Sequence, residues 1–486
     1  MSNTNIGWHF DNSYSKLPQT LLSKLKPQPV KNPTLHIFNY SLSEEMNLNF
    51  SSTSKEDIAT IFSGNRLPQG SETIAQAYAG HQFGNFTLLG DGRALVIGEH
   101  LDKKNRRHDL QLKGSGKTPY SRNADGRAAL GPMLREYIIS EAMHVMKIPT
   151  TRSLAVVGTG EDVFREKKLK GAILTRVASS HIRIGTFQFA LISKNKEDLK
   201  TLFNYTINRH YPELSKNKSP ACDLLKLVQE KQINLVCNWM RVGFVHGVMN
   251  TDNVSISGET IDYGPCAFMD SYNPEIVFSS IDQFGRYSFI NQPSITKWNL
   301  ERFAETLLPL INPDIDKSIG IVKEILSEFP NQFKDQWIKM MRKKLGLTGA
   351  DNLDEKLITD LLSWMNENKV DYTNTFCELM GKLEINDDKF KSKYFKEWKK
   401  RWVSRLKKNK NDVKISEKMM LDSNPLVIPR NHIVEKILQK AEDDNFLKIN
   451  ELLNTMQNPK SNYSHLQEYQ SPPRGNYEKY VTYCGT

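Results

Sequence analysis

Short apolar runs separated by turn residues dominate the chain between residues 71 and 180. Residues 86–89 and 94–99 are two such runs, and they flank the turn Gly90-Asp91-Gly92-Arg93, which predicts a β-hairpin. A helix is predicted over 132–147, because Pro132 suits a first helical turn and apolar residues then recur at helical spacing. Further strands are predicted at 109–113, 154–157 and 171–176.

The second half of the chain has mostly helical periodicity. One predicted helix leads up to residue 246, another covers 298–311, and several more follow to about residue 456. The tail from residue 458 contains Ser471-Pro472-Pro473 and is predicted to be extended. Strands with one helix first, and helices afterwards, predict an α+β fold with two lobes in the order found in protein kinases.

This pattern divides the chain into four predicted parts. An N-terminal extension covers 1–70, a β-rich N-lobe covers 71–180, and a helical C-lobe covers 181–456. An extended C-terminal tail covers 457–486. The interpretation treats the N-lobe as the nucleotide-binding part and the C-lobe as the carrier of the catalytic and metal-binding loops.

Composition narrows the class of protein. Hydrophobic residues make up 38% of the chain and charged residues 25%, which is typical of a globular protein. No run approaches the ~18 apolar residues that span a bilayer. The N-terminus lacks the charged-then-apolar pattern of a secretory signal, so a cytoplasmic protein without a membrane partner is predicted. The five cysteines are widely spaced without a CxxC pair, which argues against a disulfide framework or a zinc site.

The net charge of +11 raises the question of an acidic partner. Much of the excess lies in 389–414, where Tyr394, Trp398 and Trp402 recur at helical spacing among lysines. We interpret this stretch as a surface helix with an apolar stripe and solvated lysines. A nucleic-acid groove is the alternative, but no nucleic-acid-binding motif accompanies it, so no nucleic-acid partner is predicted.

The most informative motif is His246-Gly247-Val248-Met249-Asn250-Thr251-Asp252-Asn253, followed by Ile261-Asp262-Tyr263-Gly264. A protein kinase has a His at the head of its catalytic loop, a metal-binding Asn seven residues later, and then Asp-Phe-Gly. Here the catalytic Asp of kinases is replaced by Val248, and a carboxylate reappears at Asp252. Asn253 and Asp262 offer oxygen ligands suited to Mg²⁺, and Asp252 can accept a proton from an attacking hydroxyl.

The phosphate-holding side of a kinase pairs a strand lysine with a helix glutamate. Lys113 ends a predicted strand, and Glu136 on the following helix is its candidate partner, with Glu141 as the competitor. The nearby Gly114-Ser115-Gly116-Lys117-Thr118 resembles the end of a P-loop. It lacks the first glycine of that motif, since Gln111 stands there, and Pro119 follows where a helix should begin.

Arginines near the predicted lobe junction are the unusual part of this pattern. The turn Gly90-Asp91-Gly92-Arg93 places a guanidinium beside backbone N–H groups that can approach phosphate, and Asp125-Gly126 forms another turn. Arg176 and Arg183 are two further candidates, with the alternative that these arginines lie on the surface and never converge. Several cations make chemical sense if pyrophosphate leaves and carries developing charge.

These residues resemble the selenoprotein O family, also called the YdiU family, of kinase-fold protein adenylyltransferases. The likeness runs from about residue 70 to 310 and resumes at the C-terminal tail. Its long motifs here are Tyr78-Ala79-Gly80-His81-Gln82-Phe83-Gly84, Leu89-Gly90-Asp91-Gly92-Arg93, Gln111-Leu112-Lys113-Gly114-Ser115-Gly116, Ser121-Arg122, Asp125-Gly126-Arg127-Ala128, Leu134-Arg135-Glu136-Tyr137, Arg183-Ile184-Gly185-Thr186-Phe187, the 246–253 loop and Gly285-Arg286-Tyr287.

The resemblance implies an enzyme that binds ATP reversed relative to a kinase and transfers AMP to Ser, Thr or Tyr hydroxyls of protein substrates, itself included. It implies Asp252 as the base, Asn253 and Asp262 as ligands of Mg²⁺ (or Mn²⁺), and Glu136 as the ion-pair partner of Lys113. The nucleotide contacts that it implies are Gly90, Gly92, Arg93, Lys113, Asp125, Gly126, Arg176, Arg183 and Asp262.

Several questions stay open at the level of sequence. Some relatives carry selenocysteine near the C-terminus, in the position that Cys484 resembles, so a redox role for Cys484 stands beside a plain tail thiol. Cys266 is the cysteine nearest in sequence to the metal loop. The alternatives to AMP transfer are a γ-phosphate kinase with an altered loop and a non-catalytic ATP-binding pseudokinase. The protein substrates, the oligomeric state and any role of 315–455 are also left open.

Overall fold

The computed structural model describes residues 6–408, 413–458, 463–473 and 480–482. Over these ranges the fold is α+β, with a nine-stranded sheet, a separate two-stranded sheet and many helices. The strands are β1 (Leu22–Lys24), β2 (Thr34–Phe38), β3 (Ile74–Gln82), β4 (Asn85–Gly90), β5 (Ala94–Leu101), β6 (Arg107–Lys113), β7 (Ala128–Ala129), β8 (Arg152–Phe164), β9 (Lys168–Ala178), β10 (Phe244–Val245) and β11 (Ala267–Phe268).

The large sheet has the strand order β1-β3-β5-β6-β9-β8-β2, and its strand pairings are antiparallel. The strands predicted at 109–113, 154–157 and 171–176 are confirmed as parts of β6, β8 and β9. The predicted hairpin is wrong in its pairing. Both apolar runs are strands, but β4 pairs with β3 through a turn at 83–84, while β5 pairs with β6.

Helices make up most of the remaining chain, and the predicted helices over 132–147 and 298–311 are confirmed within α3 and α7. The helices are α1 (Tyr40–Glu45), α2 (Lys55–Phe62), α3 (Leu130–Val145), α4 (Ile184–Ile192), α5 (Glu197–His210), α6 (Pro220–Arg241), α7 (Gln292–Ile311), α8 (Ile315–Ser327), α9 (Phe329–Lys344), α10 (Asp354–Asn368), α11 (Tyr372–Leu379), α12 (Asp388–Lys391), α13 (Lys393–Lys408), α14 (Val413–Ser423), α15 (Asn431–Glu442), α16 (Leu447–Gln457) and α17 (Tyr463–Gln470).

The two faces of the large sheet pack against different helices. Successive side chains of a strand point to opposite faces, so each face has its own apolar cluster. Leu110 and Leu112 of β6 share an apolar cluster with Phe62 of α2. On the other face, Leu174 of β9 packs in a cluster with Leu134 of α3. Gln111 and Lys113 of β6 alternate with these leucines and point to the same face as Leu174. They therefore face α3, and this face carries the candidate site.

Two further predictions need correction. The tail was predicted to be extended from residue 458, whereas α17 covers part of it. The predicted stripe on the basic helix is also partly wrong, since α13 buries Phe395, Trp398 and Trp402 but leaves Tyr394 48% exposed. In the part of the chain that the structure describes, no helix has the length and apolarity that crossing a bilayer requires.

Candidate active site

A cluster of charged side chains lies between the sheet and α3. The antiparallel register sets Gln111 of β6 opposite Arg176 of β9, and Lys113 lies two residues further along on the same face. Glu136 of α3 binds both of these cations. Its Oε2 accepts from Lys113 Nζ at 2.7 Å, and its Oε1 accepts from Arg176 Nε at 2.8 Å. Glu141, the competing partner in the sequence, instead accepts from Arg152.

Asp262 extends this cluster from the loop that follows residue 253. Its backbone has φ of 63°, a left-handed conformation that turns the chain sharply and aims the carboxylate at the sheet. Asp262 Oδ1 accepts from Arg176 Nη2 at 2.6 Å and from Lys113 Nζ at 3.1 Å. Burial raises the pKa of the Asp262 carboxyl, but Arg176, Lys113 and Arg183 outweigh that effect and hold it well below its usual range. Asp262 therefore stays anionic at neutral pH.

Arg183 approaches Asp262 from the other side. It is buried at 2% exposure and precedes α4 as its N-cap. Its Nη2 lies 3.6 Å from Asp262 Oδ2, its Nη1 lies 3.9 Å from Asp91 Oδ1, and its guanidinium stacks 4.4 Å above the Tyr78 ring. Arg176 and Arg183 thus converge on one carboxylate instead of lying apart on the surface.

The loop 246–253 is fixed by hydrogen bonds on several sides. His246 Nε2 lies 2.9 Å from the carbonyl oxygen of Ile261, which ties the head of the loop to the residue before Asp262. Asn250 Oδ1 accepts from the backbone N–H of Phe83 at 3.0 Å, and Thr251 Oγ1 accepts from that of His81 at 2.7 Å. The loop is therefore anchored to the β3–β4 hairpin.

Asp252 is the carboxylate at the centre of that anchored loop. Its side chain is buried, and its Oδ1 has no hydrogen-bond partner among the described residues. Burial raises the pKa of Asp252 to about 6, although the Arg183 guanidinium opposes the shift. The carboxylate has room only because position 80 is glycine, since a Cβ there would lie 2.2 Å from Asp252 Oδ1.

Asn253 lies next to Asp252 in the chain and is half-buried. Its amide nitrogen donates to the carbonyl oxygen of Val248 at 3.0 Å, which leaves its amide oxygen for another partner. Asn253 and Asp262 thus provide two oxygen donors of the kind that Mg²⁺ prefers. No group of three or more His, Cys, Asp or Glu side chains in the described ranges is arranged around a metal position.

The glycine turn and the 114–126 loop pack against each other at the edge of the site. Thr118 Oγ1 donates to the carbonyl oxygen of Asp91 at 2.7 Å, and Ser121 Oγ donates to that of Gly92. Gly90 begins this turn at the end of β4. The side chain of Arg93 is half-buried and has no hydrogen bond or ion pair with any residue that the structure describes. It is therefore a cation available to a ligand.

Asp125 and Gly126 are not in contact with the Lys113–Asp262 cluster. The Asp125 carboxylate binds the Arg165 guanidinium through two hydrogen bonds of 2.9 and 3.0 Å. Gly126 has φ of 69°, and a Cβ there would lie 2.2 Å from the backbone of Gly116, so only glycine fits this contact between loop segments.

Several residues of the site were missed in the sequence. Asp91 and Tyr78 hold Arg183, and Gly80 gives Asp252 its space. All three lie inside motifs that carry the family resemblance, but their roles depend on packing between distant segments, which a single sequence does not indicate. Gln111 is a fourth, and its Oε1 accepts from Arg176 Nη1 at 3.2 Å.

Cys484, for which a redox role is one of two predictions, lies outside the described residues. Cys266 is fully buried. Thr482, two residues before Cys484, donates through its hydroxyl to the carbonyl oxygen of Pro265 at 2.7 Å. The end of the described tail therefore packs beside the residue that precedes Cys266.

Comparison with known proteins shows the family to which the chain belongs. A family model described as "Protein adenylyltransferase SelO" matches residues 5–457. The chain belongs to the SelO family. It is 56% identical to a protein nucleotidyltransferase YdiU of Pelagibacter ubique over 99% of this chain and 100% of the relative. It is 52% identical to the protein of the same name from Nitrosococcus oceani, over 100% of this chain and 99% of the relative.

Membership of the SelO family identifies the protein as an enzyme, a nucleotidyltransferase. The cluster described above suits that chemistry in two respects. Buried guanidinium groups are strong, bidentate partners for phosphate oxygens. A buried carboxylate with an unpartnered oxygen is a suitable acceptor for a proton.

Proposed function

We propose that this protein transfers AMP from ATP to the hydroxyl of a Ser, Thr or Tyr side chain in a protein substrate and releases pyrophosphate. The observation that carries the proposal is the pairing of two features within one site. A buried carboxylate, Asp252, has an unpartnered oxygen, and the cations Lys113, Arg176 and Arg183 converge on Asp262 nearby. The names of the relatives support nucleotidyl transfer in general.

The proposed reaction is a displacement at the α-phosphorus of ATP. The acceptor oxygen forms a bond to that phosphorus, and the bond from it to the oxygen bridging the α- and β-phosphates breaks. Asp252 takes the hydroxyl proton, and pyrophosphate leaves with the bonding electron pair. With its pKa raised to about 6, Asp252 is ionised at neutral pH yet more basic than an ordinary aspartate.

The cations would stabilise the charge that develops on pyrophosphate. Lys113 and Arg176 are held by Glu136, so they are positioned before the nucleotide arrives and need little reorganisation. Arg93 is the cation of this site whose side chain has no partner among the described residues, so we assign it to a phosphate. Gly90, Gly92, Asp125 and Gly126 would line the nucleotide through the two loops that carry them, as the family resemblance implies.

Asn253 and Asp262 would hold a divalent cation, Mg²⁺ or Mn²⁺. The donor set fits such an ion, because one neutral and one anionic oxygen leave coordination positions for phosphate oxygens and water. When bound, the ion would neutralise phosphate charge and orient the triphosphate. Asp262 keeps its negative charge for this role because its surrounding cations lower its pKa.

We further propose that the sheet and the helices correspond to the two lobes of a kinase-like fold, with a nucleotide-binding N-lobe at 71–180 and a catalytic C-lobe at 181–456. The order of the site residues supports this, since Lys113 lies on a strand, Glu136 on the next helix, and Asp252 and Asp262 on later loops. Residues 1–70 would form an extension that adds β1 and β2 to the sheet, and 457–486 a C-terminal tail.

The test uses ATP carrying a radioactive label on either the α- or the γ-phosphate, with Mg²⁺, the purified protein and a cell extract as acceptors. Protein-bound α-label without γ-label is expected, and mass spectrometry should place an AMP group on a hydroxyl side chain. Asp262→Asn should abolish the label. Asp57→Asn, which alters an exposed aspartate paired with Arg66, is the matched control and should retain it.

Two other outcomes would overturn the proposal. Protein-bound γ-label alone would identify a kinase. A rise of the melting temperature with ATP, but no covalent label on any acceptor, would identify a nucleotide-binding module without catalysis.

A further inference from the structure

A cavity of about 640 Å³ lies among α6, α9, α14 and the residues that follow α3. Its wall contains one acidic residue, Asp422, against a set of basic ones. The basic residues are Lys147, Arg241, Lys339, Lys343 and Lys418. The cavity shares no lining residue with the Lys113–Asp262 cluster, so it is a separate feature of the molecule.

Arg241 is the most unusual member of this wall. It is 8% exposed, yet its guanidinium binds only neutral oxygens. Its Nη1 donates to the carbonyl oxygen of Ser423 at 2.9 Å, its Nη2 to that of Met146 at 2.6 Å, and its Nε to Asn238 Oδ1 at 3.1 Å. A guanidinium has five N–H groups, so two remain for another partner. No carboxylate of the described residues forms an ion pair with it.

A second buried basic side chain is hydrogen-bonded to the backbone of Arg241. Lys344 is 1% exposed, and its Nζ donates to the carbonyl oxygen of Arg241 at 2.8 Å and to Asn424 Oδ1 at 2.7 Å. Its other close neighbours are the rings of Phe376 and Tyr372, at 3.7 and 5.0 Å. Burial lowers the pKa of the Lys344 ammonium well below its usual range, so Arg241 is the buried charge of this region. Because a buried guanidinium without a counter-charge is costly, the wall around Arg241 favours a bound anion.

Exposed lysines at the rim of the cavity carry further positive charge. Lys339 and Lys343 of α9 and Lys418 of α14 are exposed and form no ion pair with the described residues. Lys147 faces Asp422 at 3.7 Å, a distance typical of a weak surface pair. Three free ammonium groups thus surround the opening above the buried guanidinium.

We propose that this cavity binds a small soluble ligand that carries more than one phosphate group. The volume lies within the usual range for small-molecule sites. Arg241 offers the fixed N–H pair that suits a phosphate oxygen, and the lysines neutralise the remaining charge. The wall also contains Met340, Ile415 and Met419, which provide apolar surface for the rest of the ligand.

The test is isothermal titration calorimetry with inorganic tripolyphosphate on the full-length protein, with a saturating non-hydrolysable ATP analogue present to occupy the Lys113–Asp262 site. Wild type is compared with the triple variant Lys339→Gln/Lys343→Gln/Lys418→Gln. An exposed ion pair contributes about a 1.4- to 5-fold gain in affinity. With about twofold for each of the three lysines, the triple variant should bind about tenfold more weakly. Higher salt should weaken the wild-type binding further.

The matched control is Lys396→Gln/Lys400→Gln/Lys407→Gln, which removes the same charge from the exposed side of α13. It should bind tripolyphosphate as wild type does, and the melting temperatures of both variants should match that of wild type. An equal loss in both variants, or no loss in either, would overturn the proposal. Binding through this cavity to vesicles containing phosphatidylglycerol, without binding of tripolyphosphate, would overturn it in favour of a lipid headgroup.

Discussion

At the scale of the residue, Asp252 and Asp262 are neighbouring carboxylates with different environments. Asp262 is surrounded by cations, whereas Asp252 has one oxygen without a partner in the described structure. We therefore expect Asp252→Asn to slow AMP transfer by about 10²- to 10⁴-fold, the usual contribution of a general base, with ATP binding retained. Single-turnover labelling and the ATP-induced shift of the melting temperature measure the two effects. Full transfer by Asp252→Asn would exclude it as the base.

Individual residues also show which parts of the candidate site can be predicted from the sequence. Lys113, Glu136, Asn253 and Asp262 are predicted from sequence because each occupies a position whose chemistry follows from its spacing within a kinase-like order. The structure brings Lys113, Glu136 and Asp262 into contact, and the role of Asn253 stays a prediction. Asp91 and Tyr78 were missed, because both act by contacting Arg183 from segments far away in the chain. Asp125 has the motif position but pairs with Arg165, so its role in nucleotide binding stays a prediction.

At the scale of the element, the contact between β3 and the 246–253 loop decides the position of Asp252. We expect Gly80→Ala to reduce transfer by about 100-fold, because its Cβ would lie 2.2 Å from Asp252 Oδ1 and displace the carboxylate. The control is Gly320→Ala in the middle of α8, where the residue is exposed and a Cβ meets no atom within 4 Å. That variant should keep full activity and gain about 0.5–1 kcal/mol of stability. Equal activities of the two variants in the labelling assay would contradict the assigned role of Gly80.

The element scale also explains the incorrect hairpin. The runs at 86–89 and 94–99 were recognised because their apolar residues are typical of strands. Strand β3 was not recognised, since Ala, Gly, His and Gln give it no alternation of apolar and polar positions. Without β3, the two recognised runs had no partner except each other, although Gly90-Asp91-Gly92-Arg93 in fact links strands that pair elsewhere.

At the scale of the whole molecule, the α+β class was predictable because the two halves differ in periodicity. The contact between the sheet and α5 was not, because buried ionisable groups form part of it. Arg209 near the end of α5 binds Glu99 Oε2 at 2.8 Å and Asp109 Oδ1 at 2.6 Å, both on strands of the sheet. His181 Nδ1 lies 3.0 Å from Asp109 Oδ2. Charge and hydrogen bonding thus add to the apolar packing between the sheet and α5.

This junction should make the fold sensitive to acid. His210, the last residue of α5, has its Nε2 2.7 Å from Ser180 Oγ, and burial together with Arg209 and Lys231 lowers its pKa to about 3. Because an unfolded histidine has a pKa near 6.5, the stabilising effect of the neutral ring is present above that pH and is lost as the pH falls. Between pH 7 and pH 5 this one group should cost about 2 kcal/mol of the free energy of unfolding.

Urea unfolding of wild type and His210→Gln at the two pH values measures this effect, because glutamine can keep the hydrogen bond to Ser180 but does not titrate. The variant should lose about 2 kcal/mol less than wild type between pH 7 and pH 5. His9→Gln, which replaces an exposed histidine, is the control and should behave as wild type. The same loss of stability in all three proteins would mean that acid acts on other buried groups, such as His181 and His246, whose pKa values burial also lowers.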